Sequence, residues 1–177
     1  MKRIKLLACS LIVAGLGFTS CSDDDSDSNN NNDNEIAGTY KLTQVNTEDA
    51  TDFDEDGTLH ENQMEESDCY DDSKITFRAD NTFTADMNSI IVNEDNGTSA
   101  CAETTVSGTW EIYAGTGSNV VLTVTYDDDN GDEVVTQFTK QGAKLTRYAL
   151  FSEYPDRNDD GGAIYTNGDV EYIYDKQ

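Results

Sequence analysis

From Ile36 onward apolar and polar residues alternate with a period of two, the pattern of strands that bury one face and wet the other. Ile36, Gly38, Tyr40 and Leu42 share a face, and Val106, Gly108, Trp110 and Ile112 repeat the arrangement. Ile75 and Phe77 alternate with Lys74, Thr76 and Arg78. Beyond the Asp80-Asn81 turn, Phe83, Ala85 and Met87 continue the inward set, which predicts a hairpin with a short loop. Val120, Leu122, Val124 and Tyr126 predict a further strand, turned by the acidic loop 127–133 with its Asn130-Gly131 pair into residues 134–139. Leu145, Arg147, Ala149 and Phe151 alternate again, and Val170, Tyr172 and Tyr174 form the last run. Eight or nine strands result, no segment has helical periodicity, and the single proline, Pro155, is expected in a loop.

Short strands joined by turns predict an all-β fold, an antiparallel up-and-down barrel of about eight strands, with a β-sandwich as the alternative. Closing such a barrel removes exposed sheet edges and leaves an interior wide enough for side chains or one small ligand. Gly38 and Gly108, both on inward rows, suit sharp strand coiling or make room for a neighbouring ring, and plain packing accounts for them equally well.

The N-terminal pattern differs. Lys2, Arg3 and Lys5 precede an apolar run from Leu6 to Phe18, too short to span a bilayer, and Thr19-Ser20-Cys21 forms a small-residue cleavage site. This resembles a bacterial lipoprotein signal, which implies removal of residues 1–20 and acylation of Cys21 as the mature N-terminus. Ser22-Asp23-Asp24-Asp25 is similar to the acidic export signal that directs Bacteroidetes lipoproteins to the outer face of the outer membrane, so the expected location is the cell surface, lipid-anchored. Residues 22–34 contain only Ser, Asp and Asn and have nothing apolar to bury, which predicts a disordered tether reaching at most about 45 Å. The expected organisation is therefore signal 1–20, lipidated cysteine and tether 21–34, and one barrel domain 35–177.

The net charge of −25 becomes −28 when the three basic signal residues leave. Such a surface repels phosphate backbones and anionic headgroups, so nucleic acid is excluded as a partner and membrane attachment falls to the lipid on Cys21. Solubility alone also accounts for the acidity. Of the four cysteines, Cys9 leaves with the signal and Cys21 carries lipid, so Cys69 and Cys101 remain for a disulfide in an oxidising compartment.

Several short motifs come in a telling order. Ile36-x-Gly-Thr-Tyr40 is followed by Asp52-x-Asp-x-Asp-Gly57, Cys69, Ile75-Thr-Phe-x-x-Asp-Asn-Thr-Phe83, Cys101 and Gly108-Thr-Trp110. With the signal, this order resembles the lipocalin-like lipoproteins of Bacteroidetes over most of residues 35–150, whereas residues 151–177 match no motif. The resemblance implies a small meander barrel that binds a small, mostly apolar molecule, with Tyr40, Phe77, Phe83 and Trp110 as inward ligand contacts. The competing expectation is a fully packed barrel whose loops bind calcium, glycan or a protein partner. No oligomeric state is assigned.

For metal, Asp52, Asp54, Asp56, Gly57 and Thr58 follow the opening of a calcium loop, with oxygens at positions one, three and five and glycine at six. Gln63 stands where the bidentate Glu belongs, so Glu61, Glu65 or Glu66 would have to complete a non-helical calcium site; a solvated acidic turn is the other reading. Asp156-x-Asn158-x-Asp160-Gly161 repeats half the pattern and is better read as a polar loop. Catalysis has little support. His60 is the only histidine, it stands in the acidic segment, and no nucleophile motif is present. The late aromatics Tyr148, Phe151, Tyr154, Tyr165, Tyr172 and Tyr174 are either core or a platform for a sugar.

Overall fold

The computed structural model describes residues 35–177; the signal, Cys21 and the tether lie outside the described residues. The alternating runs form nine strands: β1 (Gly38–Thr51), β2 (His60–Asn62), β3 (Lys74–Phe77), β4 (Thr82–Asn93), β5 (Thr98–Thr116), β6 (Asn119–Asp127), β7 (Glu133–Gln141), β8 (Lys144–Arg157) and β9 (Ala163–Lys176). Each pairs antiparallel with its sequence neighbour from β3 to β9. One edge of β1 pairs with β9, from Tyr40 opposite Lys176 to Thr47 opposite Val170. Its other edge pairs with β3 at Gly38–Lys41 and with β2 beyond it. The result is a closed eight-stranded antiparallel barrel with β2 as an added strand, not a sandwich. Among the described residues, one 3-10 turn, Asp68–Tyr70, follows β2.

The inward rows pack as the alternation demands. Tyr40, Leu42, Ile75, Phe77, Phe83, Ala85, Trp110, Leu122, Val124, Leu145, Val170 and Tyr174 are all buried. At one end the barrel is filled by rings. Phe77 stands at the centre, with its ring centroid 5.8 Å from Tyr40, 6.2 Å from Phe83 and 5.7 Å from Trp110. The Tyr40 and Trp110 pairs are edge-to-face, and such pairs add about 0.5–1.5 kcal/mol each beyond the area they bury. Their polar ends are satisfied: the Tyr40 hydroxyl donates to the Ile36 carbonyl at 2.8 Å, and Trp110 Nε1 donates to the Arg78 carbonyl at 3.1 Å. Gly108 lies directly between Phe83 on β4 and Tyr126 on β6. Without a side chain there, the two rings meet across β5 at 6.2 Å.

Two local expectations change. Parity puts Phe151 on the inward row, yet it is 93% exposed. A bulge between Ala149 and Ser152 shifts the register, and Phe151 takes φ +51°, so the count of two breaks at that point. Pro155 is in β8, opposite Tyr165, not in a loop. Beyond Thr146, β8 has no ladder partner on its β7 side, and an edge tolerates a residue that lacks an N–H. The unmatched segment 151–177 supplies the end of β8 and all of β9, the strand that closes the barrel.

The four-residue β3 is too short to fill the space between β1 and β4. Residues 70–73 bridge it instead: Leu42 N–H donates to the Ser73 carbonyl at 2.9 Å, Asn88 N–H to Ser73 Oγ at 3.0 Å, and Asn88 Nδ2 to the Asp71 carbonyl at 2.6 Å. A disulfide joins Cys69 to Cys101 on β5 and holds this bridge, with the two Cα atoms 5.0 Å apart.

Candidate functional site

Register decides where the barrel is hollow. β5 pairs with β6 only from Gly108 onward, and β7 pairs with β8 at just three positions, Thr139 with Thr146, Lys140 with Leu145 and Gln141 with Lys144. The β6–β7 hairpin therefore ends short of the neighbouring strands, and β5 before Gly108 and β8 beyond Thr146 are left without a ladder between them. Behind this gap lies a cavity of about 220 Å3, lined by Leu42, Tyr70, Met87, Arg147, Tyr172 and Tyr174, with Ser73, Asn88, Ser89 and Thr104 at its polar side. Met87, Arg147 and Tyr174 also border a second void of about 20 Å3, lined by Phe83, Val124 and Phe138 among others. Met87, Arg147 and Tyr174 thus stand between the cavity and the packed end of the barrel.

Burial sets the electrostatics of the cavity. It pushes the phenols of Tyr70, Tyr172 and Tyr174 above their ordinary value, opposed at Tyr172 and Tyr174 by the charge of Arg147. All three are neutral near pH 7. The Arg147 guanidinium carbon lies 5.0 Å from the centroid of the Tyr172 ring. The lining is thus apolar and aromatic with a few fixed polar groups, the usual make-up of a small-molecule pocket.

This barrel matches the family model described as lipocalin-like domain over residues 36–146. The chain belongs to the lipocalin-like domain family. No curated protein and no solved structure matches it. A lipocalin-like barrel is of ligand-binding type, and such proteins in general bind rather than transform. The match ends within β8, so the closing strand β9, with Tyr172 and Tyr174, is contributed by sequence outside the matched region.

The residues singled out from sequence fall into two places. Tyr40, Phe77, Phe83 and Trp110 are between 0% and 2% exposed and touch one another. They close the barrel rather than line the larger cavity, because they occupy the end where β1, β3, β4 and β5 are all mutually paired. Among them, Phe83 borders the 20 Å3 void. The residues that do line the cavity come from six separate segments. Of these, Leu42, Met87, Arg147, Tyr172 and Tyr174 stand in alternating runs of the sequence, and Tyr172 and Tyr174 are also among the aromatics read as core or a sugar platform.

In the acidic loop, Asp52, Asp54 and Glu66 bring carboxylate oxygens within 4.8 Å of one another. Glu66 is the later acid that joins, and it is 3% exposed. One of its oxygens accepts from the amides of Phe53 at 2.6 Å and Asp54 at 3.3 Å. The other lies 2.9 Å from His60 Nδ1 without the alignment of a hydrogen bond. Asp56 is not among the three; its carboxylate accepts the Thr58 amide at 2.7 Å. Asp52 accepts the Gly57 amide at 3.1 Å. The loop is pinned from outside by Arg157, whose Nε donates to the Phe53 carbonyl at 2.9 Å and whose guanidinium stacks 4.5 Å over the Phe53 ring. The second acidic motif is a hairpin tip, where Asn158 Oδ1 accepts from the amides of Asp160 and Gly162.

Proposed function

We propose that this chain is a surface-exposed outer-membrane lipoprotein of a Bacteroidetes type, acylated at Cys21 and held off the membrane by residues 22–34, whose lipocalin-like barrel carries a small, mostly apolar molecule without transforming it. The observation that carries the binding part of this reading is the cavity of about 220 Å3 inside the barrel. An apolar cavity of about 150 Å3 already admits benzene, so a molecule somewhat larger fits. Leu42, Tyr70, Met87, Tyr172 and Tyr174 would hold it. The aromatic cluster of Tyr40, Phe77, Phe83 and Trp110 would act as the rigid base of the site. Native mass spectrometry of the full chain from the producing cells tests this: an organic adduct lost on denaturation is expected, and a bare mass under mild conditions refutes the carrier reading. Cys21→Ala is expected to release the protein from membranes, and firm retention would refute the anchor.

A second reading concerns calcium at the acidic loop, favoured by the convergence of Asp52 and Asp54 on the buried Glu66. Three carboxylate ligands suit a hard cation, and the Thr58 carbonyl and water would complete it. Calcium is expected to raise the melting temperature of the wild type and not of Glu66→Gln. Equal melting with calcium and with chelator removes this reading.

A further inference from the structure

The wall between the barrel interior and the solvent is a single layer of chain where residues 68–73 replace the missing length of β3. Tyr70 and Ser73 face the cavity of about 220 Å3, whereas Asp68, Cys69, Asp71 and Asp72 line a groove of about 410 Å3 on the outside. The flanking strands divide by the same alternation. Met87 and Ser89 of β4 and Thr104 of β5 line the cavity, Asp86 and Glu103 line the groove, and Asn88 borders both. The later half of this segment is held by hydrogen bonds from Leu42 and Asn88 to Ser73 and Asp71, and its start by the Cys69–Cys101 bond. Both cysteines line the groove, Cys101 is exposed and Cys69 half-buried, so the bond can be reached from solvent. Around it stand the carboxylates of Asp68, Asp71, Asp72, Asp86 and Glu103 against the one amine of Lys74. An attacking thiolate is itself an anion, and it enters such a groove only if it brings positive charge with it.

We infer that Cys69–Cys101 is a thiol-exchange site for reductants whose thiol lies beside positive charge, and that opening it frees residues 68–73 as a flap between the groove and the cavity. The thiolate attacks the exposed Cys101 Sγ. A mixed disulfide forms there as the Cys69–Cys101 bond breaks, and Cys69 leaves as a thiolate that takes up a proton. A second thiol attacks the reductant's sulfur in the mixed disulfide and releases Cys101, so two thiols become one disulfide and the protein gains two electrons and two protons. Positive charge beside the attacking thiol also raises its thiolate fraction, so one feature of the reductant serves both approach and reactivity. A flap over the cavity has its use in the carrier reading above, whereas the exchange and the release do not depend on it.

The test uses the full oxidised chain carrying Cys9→Ser and Cys21→Ser, so that Cys69 and Cys101 are its remaining cysteines. Cysteamine and mercaptoethanesulfonate, a cationic and an anionic thiol of similar size, reduce it under native conditions. Each rate is divided by that of the same thiol on bis(hydroxyethyl) disulfide, which removes differences in intrinsic reactivity. Cysteamine is expected to be roughly 10-fold faster at low salt, with the preference falling towards unity in strong salt. D71N/E103Q should reduce the preference; should that variant fail to fold, the salt dependence of the parent chain decides. Hydrogen exchange followed by NMR before and after reduction with dithiothreitol, far below the melting temperature, reads the flap. The amides of Leu42 and Asn88, which donate to Ser73, should exchange at least about 10-fold faster once the bond is open, and those of Leu122 and Val124 across the barrel should change little. Equal normalised rates for the two thiols, or a bond that resists both while the barrel is folded, overturns the inference. So does unchanged exchange at Leu42 and Asn88, or an equal rise at Leu122 and Val124. None of these outcomes bears on the carrier reading, which stands or falls on the adduct seen by native mass spectrometry.

Discussion

Removing the Cys69–Cys101 bond should loosen the bridge between β1 and β4, and its effect can be worked from the chain. The two cysteines are separated by 32 residues. On the loop-entropy relation a closed loop of that length lowers the entropy of the unfolded chain by an amount equivalent to about 3.7 kcal/mol at 25 °C. Unfolding the described residues 35–177 carries an entropy of about 0.3 kcal/mol/K at the usual value per residue. The melting temperature should therefore fall by roughly 12 °C. Cys101 is exposed and Cys69 only half-buried, so little of the effect should come from lost packing. The cleanest comparison is wild type against Cys69→Ser/Cys101→Ser, melted by circular dichroism in oxidising buffer and again with a reductant strong enough to open the bond. A difference near 12 °C is expected when oxidised and close to zero when reduced. The same large difference in both buffers would show that the thiols stabilise by packing and that the cross-link argument is wrong.

Gly108→Ala should be disproportionately destabilising for a change of one methyl group. The new Cβ would overlap the Thr125 carbonyl oxygen and approach Phe83 Cε1 at 3.0 Å, so β5 would have to move away from β6. A loss of about 3 kcal/mol, at the upper end of ordinary overpacking, is expected from the urea midpoint at unchanged slope; a loss below about 0.5 kcal/mol would refute the close approach. Alkaline pH should unfold the barrel through its buried phenols. Burial pushes Tyr40 up from 10.0 to about 12, and Tyr70, Tyr172 and Tyr174 are raised as well. Above pH 10 the unfolded chain releases these protons and the folded one retains them, so this stabilisation is complete below pH 10 and lost as pH rises through the folded values. Absorbance at 295 nm should show these tyrosines ionising late and together with unfolding; ordinary titration near pH 10 in a still-folded protein would contradict it.

The fold was legible because burial in a barrel imposes a period of two, and Phe77, Phe83, Trp110, Leu122 and Tyr174 stand where that period puts them. It failed at Phe151, because one bulge reverses parity without altering composition, and at Pro155, because nothing in the local sequence says that β8 has a free edge. The site was less legible for a related reason. Large inward aromatics look alike whether they meet each other or a ligand, and only register shows that Tyr40, Phe77, Phe83 and Trp110 meet each other. Leu42, Tyr70, Met87 and Arg147 converge because β3 is short and the β6–β7 hairpin leans away from β8. Neither length difference is a property of any single residue. In the acidic loop the regular spacing drew attention to Asp56, whereas Glu66, ten residues further on, is the one folded against Asp52 and Asp54.

The pairing of β1 with β9 has a consequence for the order of folding. The strand that begins the barrel and the strand that completes it are separated by nearly the whole domain, so the last ladder to form is also the one with the most distant partners, and such ladders form slowly. Until Val170–Lys176 are available, one long edge of β1 has unpaired amides and carbonyls, a template for any other extended chain. A chain shortened by its final eight residues should therefore lose more than eight residues' worth of contacts. It should expose a ready-made edge and associate through it, with aggregation rather than a small drop in stability as the outcome.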